Sequence, residues 1–301
     1  MSFGERFLHY PDLFPLRASG ERWGDQRLSL DIAGGPYVVA GLSAELAAAV
    51  TARFAPLVGD PVGSQATDIE IFRVAATDFR KIETAGWEYQ LDFDFAADGL
   101  RLAGLDLMGR LSPLPLGGAA LWTSSGDAPH FLGAFENLLR VLTAYRLLAA
   151  GGVLLHSAGI LASGKAYVFF GHSGAGKTTF SALSAVEGHD VLSDELNLLW
   201  PTPEGVIVES LPFAGDFGQR CRPRSRFPLG GIFALGKGPA IRQPLSFARG
   251  VAALAACSPV VNVDPFRTTA LWDNLERLAR AARPEALAFE LGRAPWDMLI
   301  S

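Results

Sequence analysis

Cysteine is nearly absent. The 301 residues hold two, Cys221 and Cys257, without metal-ligand spacing and too few for a disulfide framework. That excludes the small disulfide-stapled secreted classes and leads us to expect a reducing compartment. A surplus of positive charge is missing too. Twenty-six Lys and Arg stand against 31 Asp and Glu, a net charge of −5, so no nucleic-acid partner is expected. Long uninterrupted apolar runs are also lacking. The most apolar stretch, residues 138–155, contains Arg140, Arg146 and the pair Gly151-Gly152, and reads as a helix followed by a strand, not as a membrane span. The first residues, MSFGERFLHYPDLFPLR, carry no apolar h-region with a small-residue cleavage site behind it. A cytoplasmic protein with no membrane partner is the expectation. No repeat of about 20 to 50 residues is evident.

What the chain does have is 49% hydrophobic residues with 19% charged, the composition of a compact fold, and length enough for one large or two modest domains. It also has glycine in a telling place. The octapeptide Gly171-His172-Ser173-Gly174-Ala175-Gly176-Lys177-Thr178 fits the phosphate-binding pattern G-x-x-x-x-G-K-[ST] with no substitution. Glycines let the backbone turn tightly and bring N–H groups up to phosphate oxygens. Lys177 is of a length to reach β- and γ-phosphates, the Thr178 hydroxyl suits Mg²⁺, and Thr179 continues the helix start that faces the anion. A chain this long matches the pattern by chance about one time in a hundred. The context adds to the signal, because residues 166–170 (AYVFF) read as a short buried strand and residues 178–187 as a helix closed by Gly188.

Around this loop the chain divides by pattern. Residues 1–128 read as a β-rich α+β domain, with strand-like runs at 27–32, 36–40, 67–74, 88–95, 100–107 and 119–123, and one amphipathic helix at 43–54 capped by Ser43. Its aromatics, among them Trp87, Tyr89, Phe93 and Phe95, fit sheet faces better than a base-stacking platform. Residues 129–301 read as the nucleotide-binding domain. They open with a helix at 131–150 and continue with strands at 153–157 and 158–162, a turn at Ser163-Gly164-Lys165, and the loop. Further strands at 205–210 and 231–236 and helices at 247–256 and 266–282 follow. Strands so closely spaced around the loop imply mixed pairing within an α/β fold.

Two further features point at the same site. Asp194 and Glu195 close the next strand, residues 190–193, and carboxylates there can hold Mg²⁺ or accept a proton from an attacking hydroxyl. Upstream, His156 interrupts an apolar strand, where a hydrogen-bonded core histidine is the ordinary alternative. Downstream, Arg220, Arg222, Arg224 and Arg226 form a local basic run. It fits either a solvated loop or a clamp on an acidic acceptor, and Asp216 is a weaker candidate of the same kind.

Together, His156, the loop and the Asp194-Glu195 pair resemble the catalytic domain of HPr kinase/phosphorylase and its relatives, which is related to the phosphoenolpyruvate carboxykinase fold. The likeness covers about residues 150–236. It implies a mixed-sheet P-loop kinase domain and a Mg-ATP-dependent kinase that phosphorylates a serine-type hydroxyl on a protein, peptide or small molecule. By position it implies Glu195 as general base, Asp194 as its acidic neighbour near the metal with Thr178, and His156 and Lys177 in the same site. The pair is Asp-Glu where the bifunctional enzymes have two aspartates, and their Gly-Arg-Asn signature is not found. Both differences argue against phosphorylase activity and against HPr as acceptor. A homo-oligomer is compatible with this reading. The alternatives are a P-loop ATPase and a nucleotide-binding accessory protein without transfer.

Overall fold

The computed structural model describes residues 20–59, 66–75, 91–104, 106–112, 117–124, 126–213, 215 and 223–300. The sequence readings at Trp87, Tyr89, Asp216, Arg220, Cys221 and Arg222 lie outside the described residues. The fold is mixed α/β, and the chain divides into two compact units, Met1–Arg146 and Leu147–Ser301. The division falls inside the long helix α2 (Ala128–Ala149), not ahead of it as sequence pattern suggested.

The first unit is built on a seven-stranded sheet in the order β1-β2-β3-β7-β6-β5-β4. Its strands are β1 (Gln26–Leu30), β2 (Tyr37–Leu42), β3 (Thr67–Arg73), β4 (Asp92–Phe95), β5 (Leu100–Gly104), β6 (Leu107–Ser112) and β7 (Gly118–Thr123). The run expected as one strand over residues 100–107 is instead a hairpin. Asp106 takes a φ of 51°, a conformation its short side chain tolerates, and the chain reverses there. Helix α1 (Ala44–Arg53) starts where Ser43 predicts, the Ser43 hydroxyl accepting from the Leu46 amide at 3.2 Å. Helix α2 packs on the same unit through Phe54 against Phe135, a Tyr37–Thr143 hydroxyl contact and the Arg53–Glu136 ion pair.

The second unit carries eight strands, β8 (Val153–Ala162), β9 (Lys165–Phe170), β10 (Asp190–Ser193), β11 (Leu196–Thr202), β12 (Gly205–Glu209), β13 (Arg226–Lys237), β14 (Ile241–Pro244) and β15 (Glu285–Phe289). Pairing is mixed. β9 runs antiparallel to β8 and parallel to β13, and β15 runs parallel to β13. β8 is one unbroken strand where the sequence suggested two. Its first half, through His156, pairs with β11, and its second half pairs with β9 and β10. The long strand β13 is shared in the same way, with β12 at its start and β9 and β15 beyond. Helices α3 (Lys177–Val186), α4 (Phe247–Ala256) and α5 (Thr268–Ala281) complete the unit. Helix α3 is anchored by an aromatic cluster in which Phe180 meets Phe169, Phe289 and Trp296, and the Trp296 indole donates to the Ser184 hydroxyl at 3.0 Å. Its C-terminus closes as a Schellman motif around Gly188, with His189 N–H on Ser184 O at 3.0 Å and Gly188 N–H on Ala185 O at 3.1 Å. Among the described residues no helix is long and apolar enough to cross a membrane.

Candidate functional site

The glycine loop leaves the C-terminal end of β9 and enters α3 directly, so strand, loop and helix follow one another as the chemistry requires. Gly176 occupies the N-cap with φ 105° and leaves the helix without a side-chain cap. Only a residue without Cβ sits there comfortably, and a Cβ would also press on the Phe289 ring at 3.0 Å. The first amide bonded inside the helix is that of Phe180, on Gly176 O at 2.8 Å. The amides of Lys177, Thr178 and Thr179 therefore belong to the turn that has no intrahelical partner, the usual anion-binding end of a helix. Lys177 folds back along the loop and donates from Nζ to Gly171 O at 3.0 Å and to His172 O at 3.4 Å. Its side chain is buried, and desolvation moves its pKa below the usual lysine value.

One residue of β8 ties the other parts to this loop. Ser157 pairs with Phe170, the last residue of β9, and its amide donates to Glu195 O at 3.0 Å. His156, the residue before it, is the register partner of Leu196. Paired positions in neighbouring antiparallel strands stand about 4.5 to 5.5 Å apart, so His156, the root of the loop and the Asp194-Glu195 turn are brought together on adjacent strands. The acidic pair is itself held by a hydroxyl. Ser193 Oγ accepts from the amides of Glu195 and Leu196, each at 3.1 Å, a serine turn that ends β10 and starts β11. Asp194 is buried to 5% exposure, while Glu195 is half-buried. Gly215 approaches so closely that a Cβ there would overlap Asp194 Oδ1 and stand 3.0 Å from Glu195 Cβ.

His156 is exposed along a cavity of about 420 Å³ that also meets Gly171, His172 and Ser173. Desolvation, and then the neighbouring Lys177 ammonium, push its imidazole down to about 4. Solvent screens part of this, but both causes act in one direction and leave the ring neutral at physiological pH. Cys257, at the end of α4, lines the same cavity. Its carbonyl accepts from the His156 amide at 2.8 Å, and burial raises its thiol pKa against the opposing effects of the Gly171 amide and Lys177.

The described part of the basic run, Arg224 and Arg226, has a different destination. Glu209, fully buried, accepts from Arg224 at 2.8 Å, from Arg226 at 3.0 Å and from the Trp200 indole at 2.7 Å. Arg224 and Arg226 thus turn onto a carboxylate of the protein's own β12. Sequence reasoning assigned no part in the site to Glu209, Cys257, Ser193 or Gly215. Only Ser193 had a local signal, being a serine directly before two acidic residues at a strand end. The others depend on distant segments.

The side chains that could hold Mg²⁺ are the Thr178 hydroxyl and the Asp194 carboxylate, hard oxygens that suit an ion that keeps several waters and shares phosphate oxygens. Among the described residues no group of three or more His, Cys, Asp and Glu gathers to hold a metal unaided. Compared with models of known protein families and with curated proteins, the chain gives no match.

Proposed function

We propose that the second unit is a Mg-ATP-dependent phosphotransferase of the HPr-kinase-like, phosphoenolpyruvate-carboxykinase-related type, acting on a hydroxyl acceptor. The observation that carries this reading is the convergence at Ser157, whose backbone links the root of the glycine loop to the Asp194-Glu195 turn beside His156. An ATPase or a passive nucleotide carrier needs the loop. A carboxylate pair and an imidazole fixed to that loop's own supporting strand suit transfer to a hydroxyl better.

In this reading the loop amides from His172 to Thr179 receive the phosphates, and Lys177 meets the β- and γ-oxygens from its place beside the Gly171 and His172 carbonyls. Thr178 and Asp194 hold the metal, which when bound offsets charge on the phosphate oxygens. Glu195 takes the proton of the acceptor hydroxyl as its oxygen attacks the γ-phosphorus. His156 is neutral and therefore accepts or donates a hydrogen bond without adding charge. Buried Asp194 stays fixed because Ser193 and Gly215 hold the turn from two sides.

The test is incubation with γ-labelled ATP and Mg²⁺, alone and with cell extract. Label on a protein, peptide or small alcohol is the expected result. Free phosphate with every acceptor fraction unlabelled would move the assignment to an ATPase, and tight nucleotide binding without turnover would move it to an accessory protein.

A further inference from the structure

The cavity in front of the loop has a position and a chemistry that say more about the acceptor. Its floor is the loop's leading edge, Gly171 to Ser173. Lys177 Nζ sits on the carbonyls of Gly171 and His172, and the lysine of such a loop serves the β- and γ-phosphates. The terminal phosphate therefore belongs at this edge, and the rest of the nucleotide on the far side, over the start of α3. A void at the leading edge lies on the acceptor's side of the transfer.

Its walls are apolar. Phe170, Ala234 and Leu235 come from the ends of β9 and β13, and Ala253, Ala256 and Pro259 from the end of α4 and the turn after it. Among the described residues its polar side chains are two imidazoles, a hydroxyl and a thiol, and no Asp, Glu, Lys or Arg lines it. The His172 Nδ1–H donates to Ser173 O at 2.6 Å, which leaves Nε2 as an acceptor. The end of α4 offers little more, since the Leu254 and Ala255 carbonyls are taken by the Cys257 and Ser258 amides and the Cys257 carbonyl by His156. A zwitterion or a carboxylate entering here would give up its water with no counter-ion on the described walls, the Lys177 ammonium at the floor being committed to the phosphates. An uncharged body would lose little, and one hydroxyl would find imidazole partners.

We infer that this cavity is the acceptor pocket and that it selects a small uncharged alcohol, a hydroxyl on a compact apolar body. The inference rests on the phosphotransferase reading above. In the step itself the acceptor oxygen bonds to the γ-phosphorus and the bond from that phosphorus to the β-bridging oxygen breaks, its electron pair leaving on ADP. The hydroxyl proton passes to Glu195, which stands outside the cavity wall in the turn that the Ser157 amide ties to the strand of His156. A volume of about 420 Å³ is that of a pocket for one small molecule.

The experiment is amide chemical-shift mapping on the isotope-labelled full chain, with Mg²⁺ and a non-hydrolysable ATP analogue, then benzyl alcohol or L-serine at matched concentration. The analogue should shift amides from Gly174 to Thr179, and benzyl alcohol should shift Ala253, Ala256 and Cys257 while L-serine does not. Ala256→Trp, at an exposed position on the cavity wall, should weaken benzyl alcohol at least about tenfold and change the analogue's Kd by less than about twofold. Ala256→Met serves the same purpose should the larger residue disturb the fold. Serine shifting these amides in place of benzyl alcohol overturns the neutral-acceptor assignment. Competition between the analogue and benzyl alcohol overturns it as well, by giving the pocket to the nucleotide. An analogue that binds nowhere, with benzyl alcohol still bound, defeats the phosphotransferase reading and with it the acceptor role, while leaving the pocket's preference measured.

Discussion

Glu195 and Lys177 answer to different measurements, because one is assigned to the proton and the other to the phosphates. Glu195→Gln keeps the shape of the turn and should leave nucleotide binding intact while transfer falls about a hundredfold or more, the ordinary size of a general-base effect. Wild-type transfer rates in that variant would show the base to be misassigned. Lys177→Ala should instead abolish nucleotide-dependent transfer, with binding weakened as well. His156 answers to pH. Its folded pKa is about 4 against 6.5 for the free side chain, so between those values the unfolded chain takes up a proton that the folded chain refuses. Its contribution to stability is therefore complete above about pH 6.5 and declines as pH falls toward 4. Melting temperature followed across that window should drop on acidification in the wild type and drop less in His156→Gln.

At the scale of elements, the turn from β10 to β11 is a clamp on the acidic pair, with Ser193 inside and Gly215 outside. Gly215→Ala must displace Asp194, and we expect it to lower metal-dependent transfer with little change in melting temperature. Equal loss with Mg²⁺ and without would place the damage elsewhere. Glu209 is the corresponding structural pin between β12 and β13. Removing its buried carboxylate takes the acceptor from the Trp200 indole and one ion pair from each of two solvent-reaching guanidiniums, and Glu209→Ala should cost about 1 to 2 kcal/mol in chemical denaturation. The elements near the loop were legible in sequence because each carries a local signal: glycine pattern, capping serine, alternating apolar runs. β11, β14 and β15 carry weaker signals and were not named, and β13 was expected far shorter than it is. The pairing of Arg224 and Arg226 with Glu209 was not legible at all, since nothing in a run of arginines states which carboxylate faces it.

At the scale of the molecule, the two units differ in how much of their purpose the chain discloses. Among its described residues the first has a sheet, a capped helix and ion pairs, but no constellation that sequence or structure marks as chemical. In the second, every residue proposed to act on phosphate, metal or proton lies on β8, the loop, the start of α3 or the turn after β10. Those segments share one strand, and that has a dynamic meaning. β8 is bonded along both halves to different partners, with His156 and Ser157 at the changeover. The His156 amide is held by the Cys257 carbonyl and the Ser157 amide by Glu195 O, between neighbouring strands on both sides, so the region around His156 and Ser157 should exchange hydrogen for deuterium at the slowest rates in its unit. On the proposed reading, any opening of the loop for nucleotide leaves the strand that positions it shut. Nucleotide entry then needs no unfolding of the frame that holds the imidazole and the acidic turn in place.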